Sequence, residues 1–208
     1  MLYKRLKAIT LIETLVAIAV VLIIMQGFTF LFIKTWEANK FILEEGLASA
    51  AASRATNQIV IQLRGVKQAD NGDYPIDQAS DFDLTFYADI DDDGVTERVH
   101  YFLDQANDQL KRGVAEPNLS VQPPSYPSGE TVSVITNYVV NLSNEPIFYY
   151  YNDDYPGDTV NNPLVTPASI GSIQLIRVHL RVNIDPVRAP NNINIESFVD
   201  LRNLHNYE

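Results

Sequence analysis

The sequence predicts an α+β fold in which a long N-terminal α-helix packs on an antiparallel β-sheet. Three observations support this: an apolar run near the N-terminus, an alanine-rich stretch of helical periodicity after it, and short β-branched and aromatic runs in the second half. With 208 residues, the chain is long enough for one globular domain and an appendage. We divide it into residues 1–8, 9–33, 34–66 and 67–208.

The first two segments are typical of a membrane anchor. Residues 1–8 contain three basic residues and no acidic residue, which under the positive-inside rule keeps this flank in the cytoplasm. The uncharged stretch 14–33 has 20 residues, and a helix of that length spans roughly 30 Å of hydrocarbon. We therefore expect a single-pass membrane protein with a cytoplasmic N-terminus, whose part after Lys34 lies in the periplasm or outside the cell.

Two simpler kinds of N-terminal segment have similar features. A plain signal-anchored envelope protein would have the same topology. A removable secretory signal has an apolar region of about 7 to 15 residues that ends directly at a small-residue cleavage site. Here the apolar run 9–33 is longer, and the small residues 48–50 follow a polar stretch. Neither alternative explains Glu13, because a charge within the bilayer costs about 2.5–3.5 kcal/mol and needs a cationic partner.

The residues around Glu13 resemble the type IV prepilin signal. Residues 7–18 read KAITLIETLVAI, and the family pattern is glycine or alanine, the cleavage point, an apolar residue and then Thr-Leu-[Leu or Ile]-Glu. The resemblance implies that a prepilin peptidase cuts between Ala8 and Ile9 and that the new N-terminus is methylated. It also implies that Glu13 meets the N-terminal amine of a neighbouring pilin subunit during assembly. Ala8 and Ile9 replace the glycine and phenylalanine that are usual there.

Beyond the anchor, the helix is expected to continue through residues 34–66. The stretch 34–64 contains no proline and is rich in alanine, leucine and glutamate. Apolar residues at steps of three or four lie on one helical face, which we expect to cover the sheet: Ala48, Ala52, Ala55, Ile59, Leu63 and Val66. Gly65 and the polar segment 67–80 then end the helix.

The remaining chain has the pattern of an antiparallel meander. Short runs of β-branched and aromatic residues predict strands at 82–88, 97–103, 132–141, 147–151, 170–184 and 193–201. Residues 116–130 and 152–169 hold seven of the eleven prolines, so they are predicted to be irregular loops.

The C-terminal segments 173–182 and 198–204 are similar to the end of J-type minor pseudopilins of type II secretion and of W-type minor pilins. This resemblance implies a structural subunit of a type IV pilus-like or type II secretion filament, with other pilin or pseudopilin subunits and the membrane as partners. The alternative is a tip-located adhesin or substrate-binding module, because long loops often carry contacts.

An acidic segment offers a candidate cation site. Residues 89–94 read DIDDDG and resemble a Ca²⁺ loop, since Ca²⁺ prefers several carboxylate oxygens and a glycine permits a sharp turn. The candidate ligands are Asp89, Asp91, Asp93 and Glu97. The segment departs from an EF-hand because His100 occupies the position of the bidentate glutamate and no helix is predicted beside it. The alternative is a solvated hairpin turn built on Asp93 and Gly94.

Other chemistry finds no support in the sequence. His100, His179 and His205 have no metal-ligand spacing, and nucleophile-elbow and phosphate-loop patterns and cysteine are all missing, so no enzyme activity and no further cofactor are expected. The net charge of −11 argues against direct binding of nucleic acid. Residues 149–151 form a tyrosine run that could face a glycan, but strand alternation places at least one of them in the core.

Overall fold

The computed structural model describes residues 9–184 and 192–204 and has the predicted α+β class. One long helix is followed by strands that form two antiparallel sheets. The chain divides into two compact units, residues 1–44 and residues 45–208. The predicted leader, residues 1–8, and His205 lie outside the described residues.

Helix α1 comprises Leu11–Arg64. It begins with a capping box in which Thr10 is the N-cap and Glu13 stands three residues later. The backbone N–H of Glu13 donates to the Thr10 hydroxyl at 3.4 Å, and the backbone N–H of Thr10 donates to Glu13 Oε2 at 3.4 Å. The helix ends where Gly65 N–H bonds back to the carbonyl of Gln62, so its end matches the one predicted from Gly65.

The described part of the chain up to residue 33 is largely apolar and exposed, and Glu13 is its one charged residue. Among the described residues, α1 is the one helix long and apolar enough to cross a membrane, and its most apolar 18-residue window has no buried residue. Residues 20–25 are all exposed apolar residues, and six consecutive residues cover more than one full turn. The helix therefore presents apolar surface on every side in this region.

The second unit contains eight described strands in two sheets. Five form an antiparallel meander in sequence order: β1 (Ile76–Ala79), β2 (Asp83–Ala88), β3 (Glu97–Asp104), β4 (Gln109–Ala115) and β5 (Thr131–Asn137). Three form the second sheet: β6 (Phe148–Tyr151), β7 (Leu175–Val182) and β8 (Ile193–Asp200). Short 3₁₀ helices occupy Ile170–Ser172 and Arg202–Leu204.

The core of the second unit joins the end of α1 to both sheets. All six residues predicted for the helical face are buried, but only the five from Ala48 to Leu63 lie on α1; Val66 follows the helix end and forms a β-bridge with Ala88. The main cluster combines Ile59 and Leu63 of α1 with Phe86 and Tyr101 of the first sheet and Tyr150 of the second. The helix therefore packs on both sheets in this main cluster, while Ala48 and Ala52 pack with Val182 in a smaller second cluster.

The strand predictions were incomplete. Strands β1 and β4 were not predicted, because β1 has only four residues and β4 reads QLKRGVA, which interrupts its apolar residues with charges and a glycine. The predicted strand 170–184 begins at Leu175, after a 3₁₀ turn. The two proline-rich segments, 116–130 and 152–169, contain no strand, as expected.

Candidate functional site

The N-terminal candidate residues lie at the start of α1. Ala8 is outside the described residues, whereas Ile9 is described and is 73% exposed. Glu13 accepts from the backbone N–H of Thr10 at 3.4 Å and from its hydroxyl at 3.5 Å, and both contacts use Oε2. These distances are at the long limit for hydrogen bonds, so the capping box engages Glu13 weakly and through one oxygen.

Glu13 also has no cationic partner within the part of the chain that the structure describes. None of the ion pairs found in residues 9–184 and 192–204 includes Glu13. The next charged residue along the helix is Lys34, which pairs with Glu37 at 2.9 Å. The carboxylate therefore stands alone in the exposed apolar part of α1.

The acidic segment forms the loop of the β2–β3 hairpin. Ala88 pairs with Glu97, so residues 89–96 make the connection. Gly94 has φ of 90°, a conformation that favours glycine. Backbone N–H groups turn inward to the carboxylates: Gly94 donates to Asp89 Oδ2 at 3.1 Å, and Ile90 donates to Glu97 Oε2 at 2.8 Å. The segment is thus a hairpin connection, as the alternative predicted, but the connection comprises residues 89–96 and is not a tight turn built on Asp93 and Gly94.

Three of the four candidate cation ligands converge in this loop. One carboxylate oxygen from each of Asp89, Asp91 and Glu97 lies within 4.8 Å of the others. Asp93 is not part of that group, and its Oδ1 accepts from the N–H of Val95 at 2.8 Å. The structure therefore brings together Asp89, Asp91 and Glu97 and gives Asp93 a different role, because its side chain closes a local turn.

The loop is less solvated than a simple hairpin turn. Glu97 is 0% exposed, and its Oε1 is buried without a hydrogen-bond partner among the described residues, as is Oδ1 of Asp89. Burial raises the pKa of Glu97, although the N–H of Ile90 opposes this. Burial alone would also raise the pKa of Asp89, but the hydrogen bond and charge of Lys67 outweigh it and hold that pKa below its usual value.

A second charged cluster on the first sheet was not recognised in the sequence. His100 Nε2 lies 3.0 Å from Asp83 Oδ2, and Nδ1 lies 3.0 Å from Glu130 Oε1. The hydrogen bond with Asp83 is the largest influence on the pKa of His100 and raises it; burial opposes this, and Glu130 adds to the increase. Glu130 lies in the segment 116–130, which the sequence predicts to be an irregular loop, so no local pattern places it beside a residue of β3.

The tyrosine run has the predicted alternation in part. Tyr150 and Tyr151 are buried, and the Tyr150 hydroxyl donates to the carbonyl of Ser80 at 2.8 Å. Tyr149 is half-buried, and the guanidinium of Arg177 stacks 3.8 Å from its ring centroid. Two of the three tyrosines are therefore buried, which confirms that at least one lies in the core, although the adjacent burial of Tyr150 and Tyr151 departs from strict alternation.

Comparison with protein-family models, with curated proteins and with solved structures found no match.

Proposed function

We propose that this protein is a type IV pilin-like subunit, a minor pilin or pseudopilin, which a prepilin peptidase processes and which assembles into an envelope filament through α1. Residues 9–33 hold the precursor in the bilayer, and residues after Lys34 lie outside the cytoplasm. After cleavage between Ala8 and Ile9, the apolar helix leaves the lipid and packs against the helices of neighbouring subunits. The protein acts by assembly and carries out no turnover.

One observation carries this proposal: Glu13 is the lone charge in a largely apolar helix segment, residues 11–33, that is exposed on every side. A helix that is apolar all round is stable only when lipid or other protein covers it. A carboxylate there is costly unless a cation meets it. The free amine of a neighbouring subunit would supply that cation, and their attraction is strong where water is excluded.

The capping box is compatible with this role. Its two contacts with Thr10 involve only Oε2 of Glu13, at 3.4 and 3.5 Å. An incoming amine can therefore approach Oε1 without displacing them. The capping contacts also keep the carboxylate close to the start of the helix, which is where the amine of an adjacent subunit has to arrive.

Processing provides the first test. Co-expression with a prepilin peptidase should shorten the chain by the eight residues that precede Ile9, and intact-mass measurement with N-terminal sequencing detects this. The matched control is Ala8→Phe, which leaves the apolar run intact but places a large side chain where the prepilin pattern has glycine or alanine. We expect this variant to remain in the membrane at full length.

Two results would contradict the proposal. A mature N-terminus near residue 50 would indicate a secreted protein, and a wild-type chain that stays uncut beside a cleaved positive-control prepilin would indicate a plain signal anchor. The binding-module alternative is tested separately with the detergent-solubilised full chain as bait. A purely structural subunit should capture only other pilins, whereas an adhesin or recognition subunit should also retain a glycan or a secreted protein.

A further inference from the structure

We propose that the β2–β3 loop binds one Ca²⁺ ion through the carboxylates of Asp89, Asp91 and Glu97. The site is distinct from the N-terminal processing and assembly residues and belongs wholly to the second unit. Binding would make the stability of this second unit depend on Ca²⁺.

The spacing of the three carboxylates fits the size of the ion. Oxygen ligands lie about 2.3–2.6 Å from Ca²⁺, so two ligands on opposite sides of the ion are separated by roughly twice that distance. One oxygen from each carboxylate lies within 4.8 Å of the other two. A single ion can therefore contact all three residues without a change in the backbone.

The burial of Glu97 is an independent indication of a ligand. Acidic residues cluster on many protein surfaces without binding anything, but Glu97 is 0% exposed and its Oε1 has no hydrogen-bond partner among the described residues. Oδ1 of Asp89 is buried and unpartnered in the same way. Buried oxygens of this kind are costly unless a partner is supplied. A bound cation would supply that partner to both.

Lys67 neutralises only part of the charge of the three carboxylates. Lys67 Nζ lies 3.3 Å from Oδ2 of Asp89, so the lysine contacts the oxygen that also accepts from Gly94 and leaves Oδ1 without a partner. With all three carboxylates ionised, they and Lys67 carry a formal net charge of −2. A divalent cation balances that charge.

Ca²⁺ fits the site better than Mg²⁺ does. Mg²⁺ requires a near-ideal octahedron at about 2.0–2.1 Å and gives up its water reluctantly, whereas Ca²⁺ accepts irregular sets of carboxylate oxygens and water. Glu97 is buried and Asp89 is half-buried, whereas Asp91 is exposed and leaves one side of the site open. Such a site should be moderate in strength, with a Kd of about 10⁻⁴ to 10⁻³ M.

The test uses the full chain in detergent after removal of metals with a chelator. Ca²⁺ is titrated by isothermal calorimetry, and thermal unfolding is followed with Ca²⁺ and with Mg²⁺ at equal ionic strength. At a free Ca²⁺ concentration of 100 times Kd, the ratio of folded to unfolded protein should rise about 100-fold. Glu97→Gln keeps the shape and the Ile90 contact but removes the charge, and it should weaken Ca²⁺ binding at least about tenfold.

Two further variants make the result decisive. Asp92→Asn is the matched control, since Asp92 is an exposed acid of the same loop outside the group, and asparagine tolerates its φ of 62°. The Asp92→Asn variant should bind Ca²⁺ as the wild type does. Asp91→Asn should bind Ca²⁺ more weakly, and because Asp91 is exposed, this substitution leaves the packing of the core unchanged. The proposal is overturned if the wild type gives no calorimetric signal, if Glu97→Gln and Asp91→Asn bind like Asp92→Asn, or if Mg²⁺ raises the unfolding temperature as much as Ca²⁺.

Discussion

The carboxylate of Glu130 lies directly over Gly113 of β4, in the space that the Cβ of any larger residue would occupy. From there it reaches the Nδ1 of His100 on β3, the strand residue that pairs with Gly113. On the other side, His100 Nε2 meets Asp83 of β2. Because Gly113 on β4 has no side chain, the carboxylate of Glu130 fits above it. There it forms a hydrogen bond with His100 on the neighbouring strand β3.

The first prediction is that Gly113→Ala lowers the pKa of His100. The added methyl group would overlap the Glu130 carboxylate, which sits at the end of a flexible side chain and is therefore the group that moves. His100 would then keep only Asp83 as a carboxylate partner. The pKa is measured by an NMR titration of the imidazole, and Glu130→Gln should lower it in the same direction. An unchanged pKa in both variants would show that Glu130 does not influence His100.

The second prediction concerns the pH dependence of stability. Because the Asp83 hydrogen bond raises the pKa of His100 above the ordinary value of 6.5, with Glu130 adding to it, the folded state holds the proton more tightly than the unfolded state. The resulting stabilisation is fully present below about pH 6.5 and is lost as the pH rises through the folded pKa. We expect His100→Gln to lose on the order of 1 kcal/mol of unfolding free energy at about pH 5.5 and less at about pH 8.5.

Denaturant unfolding of both proteins at the two pH values measures this. The difference between wild type and variant cancels contributions from the other titrating groups. A difference that is constant with pH would mean that His100 contributes by packing, including its stacking on Phe102 at 4.7 Å, and not by its charge.

The third prediction separates the two faces of α1. Ile59 is 0% exposed in the core, whereas Ile61, two residues further on, is 68% exposed. Ile59→Ala should lower the unfolding free energy by about 2–4 kcal/mol, because it removes buried methyl groups and leaves a cavity. Ile61→Ala has the same change in helix propensity and should stay within about 0.5 kcal/mol of the wild type. Equal losses in thermal or denaturant unfolding would contradict the packing of this face.

The fourth prediction is that Glu13 serves assembly and not leader removal. Glu13→Leu makes α1 more apolar, so membrane insertion and cleavage after Ala8 should persist. Incorporation into filaments should fall on the order of tenfold, which corresponds to about 1.4 kcal/mol of lost attraction. The amount of the subunit is measured by co-purification with sheared filaments.

Thr14→Leu is the control for this variant, since it adds similar apolar surface at the next position without removing a charge. It should be incorporated like the wild type. If Glu13→Leu were incorporated as efficiently, the proposed ion pair would be unnecessary for this subunit. Equal losses in both variants would point to helix packing instead of charge.

The sequence by itself determined the features that depend on local periodicity. The five residues of the predicted face that lie on α1, from Ala48 to Leu63, are buried as their steps of three and four residues require. The apolar run up to residue 33 is helical from Leu11 onward and belongs to a helix able to cross a membrane, and the β2–β3 hairpin lies where its strand pattern placed it. Each of these signals is contained within a few helical turns or two adjacent strands.

Tertiary structure alone decided the features that depend on distant partners. Strand β4 forms despite its charges because β3 and β5 pair with it on both edges, and Lys111 bonds to Asp104 at 2.5 Å. His100 and Glu130 are 30 positions apart in the sequence. The sequence marks Glu97 as a candidate cation ligand, but its complete burial is visible only in the folded structure. Periodicity identifies the face of an element, but only packing determines which charges lose their water and which residues then meet them.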